Sequence, residues 1–234
     1  MSSSSNCKSC CEWKCWAFLR SSVGKKLVMG VTGLLLSGFV FTHMAGNMLI
    51  IFKGPDAYNL YGHGITSNPL YPLISYGLLA IFIVHVLTAI SLIIDNKKAR
   101  PISYAAGATK GDKRVSLASR TMAYSGSLLA AFLVSHLITF KYGAYYTTTI
   151  DGREVRDLAK LLYEVFQNPG YVAWYVVSLL LLASHLKHGF AAAFQSVGFW
   201  HPRYTPFIKT GAVLYALVVS FGFISQPLYV FLKH

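Results

Sequence analysis

The sequence predicts an all-α integral membrane protein of five transmembrane helices, with its N-terminus inside and its C-terminus outside. Three observations carry that reading: an apolar composition, five long stretches without charge, and a one-sided distribution of Lys and Arg. Of 234 residues, 54% are hydrophobic and only 12% charged, about half the charged fraction of an ordinary soluble domain. The mean hydropathy of +0.48 points the same way. A formal net charge of +13 often signals nucleic acid. Here the basic residues lie between apolar runs and form no continuous stripe, so nucleic acid is not an expected partner and membrane lipid is.

The charge-free runs are Leu27 to Phe52, Leu73 to Ile94, Thr121 to Phe140, Tyr171 to Leu186 and Thr210 to Leu232. A spanning helix needs roughly 20 apolar residues, which four of them supply alone. The fourth reaches that length by continuing past Lys187 and His188 into Gly189 to Val197, with the two polar residues near the surface. Breakers fall between the runs: Lys53-Gly54-Pro55, Asn68-Pro69, Pro101, Asp151-Gly152, Asn168-Pro169-Gly170 and Pro202. Residues 142–167 form the longest soluble-looking connection, in which Val155 to Val165 is expected as a short amphipathic helix. No repeat of fixed period is evident, and residues 21–234 read as a single domain.

Orientation follows from the basic residues. The N-terminal segment, the loop after the second helix and the segment after the fourth carry 15 Lys and Arg against 3 acidic residues; the opposite side has 6 against 5. The first group therefore lies inside. The first helix follows no cleavage-site pattern and is expected to stay in the mature protein. The tail, residues 1–20, holds Cys7, Cys10, Cys11 and Cys15. These are expected as free or lipid-modified thiols rather than a zinc or iron–sulfur site, because the tail is short and on the reducing side.

Four histidines sit inside the helices, one per span: His43, His85, His136 and His185. An intramembrane ionisable residue is costly, so four ask for a common cause. At about 1.5 Å of rise per residue, with consecutive helices antiparallel, His43 lies ~5 Å and His136 ~8 Å outward of mid-span, while His85 lies ~3 Å and His185 ~7 Å inward. They sort into an outer pair, His43 with His136, and an inner pair, His85 with His185. Two facing imidazoles at each of two depths are what two six-coordinate b haems, stacked across a helical bundle, require. Filling both axial positions suits electron transfer. Gly30, Gly33, Gly38, Gly46, Gly126 and Gly189 would let a flat macrocycle, or another helix, approach the backbone. Lys97, Arg120 and Lys187 are inner cations for anionic propionates. His63, His188, His201 and His234 fall in loops or near helix ends and are not expected as iron ligands. No carboxylate lies within the spans, which disfavours a proton relay of buried acids.

From Ser21 onward the chain resembles the five-helix, di-haem cytochrome b subunit that anchors succinate dehydrogenase or fumarate reductase in the membrane. The resemblance rests on Gly24-Lys25-Lys26 with Met29, Thr32-Gly33, His43-x-x-Gly46-Asn47, Ser67-Asn68-Pro69-Leu70 and Ser119-Arg120-Thr121-Met122. It continues with His136, His185-Leu186-Lys187-His188-Gly189-Phe190 and Phe194-Gln195. It implies haem ligands at the same four histidines, and a bacterial cytoplasmic membrane location. It also implies an FAD-bearing flavoprotein and an iron–sulfur subunit docked on the inner face. Electrons would pass between the iron–sulfur chain, the two haems and a membrane quinone, menaquinone or ubiquinone, with the dicarboxylate chemistry on the flavoprotein. Certain fumarate reductases carry a glutamate two residues before the fourth histidine; this chain has Ala183.

A quinone needs hydrogen-bond donors beside an apolar slot. Lys53, Asp56, Tyr58, Tyr61 and His63 offer an outer site, and Ser22 with Lys26 an inner one. Two alternatives compete with the whole reading. The cytochrome b subunit of a hydrogenase or formate dehydrogenase would also hold haem but bring a nickel or molybdenum partner, and a histidine-lined transporter would be colourless.

Overall fold

The computed structural model describes residues 17–99 and 117–233. The cysteine cluster and Arg100, Lys110, Lys113 and Arg114 lie outside the described residues. Five helices are long and apolar enough to cross a membrane: Ser22–Phe52, Tyr71–Lys98, Thr121–Lys141, Pro169–Ser196 and Thr205–Lys233. They match the five apolar runs in number and order, and the fourth does continue through Lys187 and His188.

In chain order the elements are α1 (Ser22–Asn47), α2 (Leu49–Phe52), α3 (Pro55–Thr66), α4 (Tyr71–Lys98), α5 (Leu117–His136) and a π turn (Leu137–Lys141). Then follow β1 (Thr147–Ile150), β2 (Arg153–Arg156), α6 (Leu158–Phe166), α7 (Pro169–Ser196) and α8 (Thr205–Lys233). Local chemistry sets the starts. The Ser21 hydroxyl accepts from Gly24 N at 3.1 Å to cap α1. Asn168 Oδ1 accepts from Gly170 N at 2.8 Å, with Pro169 at the first helical position of α7. Asn68 does the same before α4, accepting from Leu70 N at 2.9 Å.

The structure departs from the expected all-α chain in the two connections on one side of the bundle. Residues 55–66, expected as part of a loop, form α3. The segment at 142–167 contains an antiparallel hairpin, with Thr147 opposite Arg156 and Ile150 opposite Arg153. Its two-residue turn uses Asp151 (φ 50°) and Gly152 (φ 74°), the left-handed pair that suits the twist of a tight hairpin. The amphipathic helix therefore begins at Leu158 rather than Val155, and Val155 is buried in β2.

α3, the hairpin and α6 form a cap over this end. Its core joins Ile50, Tyr58, Ala159, Leu162 and Phe166 to Val172, Tyr175, Leu179 and Val230 of the bundle. Asn59, fully buried, ties the cap together: its Nδ2 donates to Asp157 Oδ1 at 2.8 Å and its Oδ1 accepts from Ala159 N at 2.9 Å. Below, α7 and α8 form the closest seam, with small residues Ser178, Ala212, Ala216 and Ser220 buried along it. α1 packs on α4, α7 and α8, and α5 packs on α7, but α4 and α5 make no substantial contact with each other. α4 has no buried residue, and Leu73, Ile74 and Leu87 along it are more than half exposed, as a lipid-facing helix requires.

Candidate functional site

His43 lies one turn from the end of α1 and His136 ends α5, so both imidazoles emerge at the capped end. Their ring centroids are 5.9 Å apart and their planes nearly perpendicular, at 84°. Aromatic rings wall this pair: Phe39 stacks on His43 at 5.4 Å, Phe223 lies 5.8 Å from it, and Phe140 is 5.4 Å from His136. Each Nδ1 has a side-chain neighbour. His136 Nδ1 is 3.1 Å from the Tyr175 hydroxyl. His43 Nδ1 is 3.4 Å from Asn47 Nδ2, whose amide is fixed by donation to His43 O at 2.8 Å and by the Tyr58 hydroxyl donating to Asn47 Oδ1 at 3.0 Å.

His85 and His185 sit further down the bundle and hold different company. His85 Nδ1 is 3.0 Å from Thr32 Oγ1 on α1, and His185 Nδ1 is 3.3 Å from Ser125 Oγ on α5. Each imidazole also lies over a glycine. A Cβ added to Gly33 would stand 3.5 Å from His85 Cε1, and one added to Gly126 would stand 3.5 Å from His185 Cε1. Thr32 precedes His43 by 11 residues, as Ser125 precedes His136. At about 1.5 Å per residue the two pairs are therefore separated by ~16 Å along the helices.

The hydroxyl anchors are what sequence reasoning missed, together with the repeat that carries them. Thr32-Gly33, Phe39, Thr42 and His43 correspond to Ser125-Gly126, Phe132, Ser135 and His136 at a constant offset of 93. Asn68-Pro69, Tyr71 and His85 correspond to Asn168-Pro169, Tyr171 and His185 at an offset of 100. The offset changes because 42 residues separate the two histidines of the first half and 49 those of the second, where the hairpin and α6 are inserted. A search for one period cannot register it; matching a hydroxyl–glycine dipeptide against the histidine that follows would.

No described residue hydrogen-bonds Nε2 of any of the four histidines. An imidazole whose Nδ1 donates to a polar partner presents a lone pair at Nε2, the form that can ligate a metal; His43 differs, because the Asn47 amide turns an N–H toward its Nδ1. The described residues gather no group of three or more His, Cys, Asp or Glu; an imidazole pair such as His43 with His136 suits a cofactor that supplies its own equatorial ligands. The glycines at 33 and 126 let the His85 and His185 rings lie directly against the neighbouring helices. At the capped end Arg156 adds a cation: its Nη2 donates to Phe140 O at 3.0 Å, while its buried Nε has no partner, an orphaned donor that a carboxylate would satisfy.

The quinone-site candidates do not converge. Tyr58 is buried and committed to Asn47; burial pushes its phenol up to about 12, with the Arg156 guanidinium partly offsetting that. The Tyr61 ring closes on Gly46, where any Cβ would collide with it. Lys53 and Asp56 are exposed. His63 turns instead to a cleft of about 380 Å³ lined also by Thr66, Tyr145, Thr147, Glu154 and Arg156. Ser22 and Lys26, at the other end, are both exposed and share no partner. Lys97 and Lys187 are exposed there too. No family model, curated protein or solved structure matches the chain.

Proposed function

We propose that this chain is the membrane-anchor subunit of a succinate dehydrogenase or fumarate reductase, holding two b haems that carry electrons between an iron–sulfur subunit and membrane quinone. The observation that carries the reading is that His43 and His136 meet at one level while His85 and His185 stand at a second, each Nδ1 beside a polar partner and no Nε2 hydrogen-bonded among the described residues. Two low-spin haems with both axial positions filled supply one-electron transfer. The chain's own residues do the rest. The four imidazoles fix the height of each haem, the phenylalanines around His43 and His136 keep that level dry, and Arg156 offers its buried N–H to a propionate. The capped end is the outside, as the basic residues require, and the flavoprotein and iron–sulfur partners dock at the other end. For a quinone carbonyl, His63 in its cleft is the free polar group and Tyr58 is not.

The test is to purify the intact assembly from its bacterial membrane, record a reduced-minus-oxidised spectrum and quantify haem and flavin. Two haems b per chain and a flavin-bearing partner are expected. A colourless preparation would leave the histidine-lined transporter standing, and a nickel or molybdenum partner would move the chain to another dehydrogenase.

A further inference from the structure

Thr32 and Ser125 stand at equivalent places in the repeat, on different helices, and each meets the histidine of the following helix. The direction of these contacts is set by what else the hydroxyls do. A threonine or serine hydroxyl has one proton. Thr32 Oγ1 directs its proton at Val28 O, 2.8 Å away, and Ser125 Oγ at Met122 O, 3.2 Å away. With those protons on the backbone carbonyls, each hydroxyl has a lone pair left to accept from Nδ1 of His85 or His185. A neutral imidazole that donates from Nδ1 carries its lone pair on Nε2.

We propose that Thr32 and Ser125 are the positioning residues of the His85–His185 pair, each fixing the tautomer and ring orientation that presents a bare Nε2 to iron. This rests on the reading of that pair as haem ligands. The pair is set by the transmembrane helices alone, since Thr32, Ser125 and both glycines lie within the spans. The same logic does not extend to His43, because Asn47 turns an N–H and not a lone pair toward its Nδ1.

The test uses the full complex with Thr32→Val, Ser125→Ala and the conservative Thr32→Ser and Ser125→Thr. Loss of a partner behind a ligating histidine costs roughly 10- to 100-fold in affinity. Thr32→Val and Ser125→Ala should each speed loss of one haem by roughly 10-fold. They should also raise the midpoint potential of that haem, because a ligand without its Nδ1 acceptor is less basic. The other haem's low-spin signal stays in place as the control for folding, and the conservative variants restore the wild-type behaviour. The repeat further requires that the two removals act on the same haem. The proposal is overturned if both leave haem retention and potential unchanged while His85→Ala abolishes one haem, or if Thr32→Val removes both haem signals together. If His85→Ala and His185→Ala leave both haems intact, it is the haem reading itself that fails.

Discussion

The two histidine pairs are built from equivalent positions of a duplicated helix pair, yet they are held in different ways. Away from the cap, both imidazoles rest on a hydroxyl and a glycine supplied by the neighbouring span, and the second half copies the first. At the capped end the copies diverge: the position four residues after the histidine is Asn47 in one half and Phe140 in the other, and Tyr175 stands where the first half has Ser75. One pair is thus preset by the membrane helices alone; in the other, His136 rests on Tyr175 within a span, while His43 reaches outside through Asn47 to Tyr58 and so to α3. A bundle that repeats itself provides two like sites; the segments inserted between its helices make them unlike.

The sharpest way to break this comparison is at Asn59, which bonds α3 to the start of α6. Asn59→Leu removes one side chain from two buried bonds and leaves Ala159 N and Asp157 exposed to the loss. It should destabilise the cap by about 2–3 kcal/mol. Limited proteolysis of residues 142–167 reads it, and on the proposed di-haem reading so do the haem spectra: the cap becomes cleavable and the signal assigned to His43–His136 broadens, while that assigned to His85–His185 holds. Equal broadening of both signals would erase the distinction between the pairs.

A smaller and more local effect is expected of Tyr175→Phe. It deletes the hydroxyl beside His136 Nδ1 and keeps the ring that packs on Phe132 and Phe166. Haem retention at the capped pair should fall roughly 10-fold, as measured by haem transfer to an acceptor protein, with the other pair unaffected.

The mildest effect is one of pH. Because the folded protein holds the Tyr58 phenol up to about 12 against an ordinary value near 10, the protonated phenol is the form the fold favours. The associated stability is complete below pH 10 and is lost as pH rises from there through about 12. Thermal melts over that range should show a decline in wild type that Tyr58→Phe flattens.

Much of this architecture was readable from the chain. Charge-free length placed all five spans, because a segment in lipid must be apolar along most of its course, and it also foresaw that α7 runs through Lys187 and His188. Depth along antiparallel helices put His43 and His136 at one level, and their rings lie 5.9 Å apart. What escaped was local and context-dependent. Thr147–Ile150 is too short and polar to announce a strand, although Asp151-Gly152 marked the turn. Pro55 opened a helix where punctuation suggested only a loop. Thr32 and Ser125 look like ordinary small residues of apolar helices until the facing imidazoles are in place. Tyr58 and His63, both offered as quinone partners, lie five helical residues apart and so on different sides of α3.

The pairing itself is most directly tested by counting haems in double variants. If His43 and His136 share one haem, removing both costs no more than removing either, and His43→Ala/His136→Ala retains one haem per chain. His43→Ala/His85→Ala, which strikes both levels, should retain none. The reverse outcome, no haem in the first variant and one in the second, would contradict the assignment of partners across the bundle.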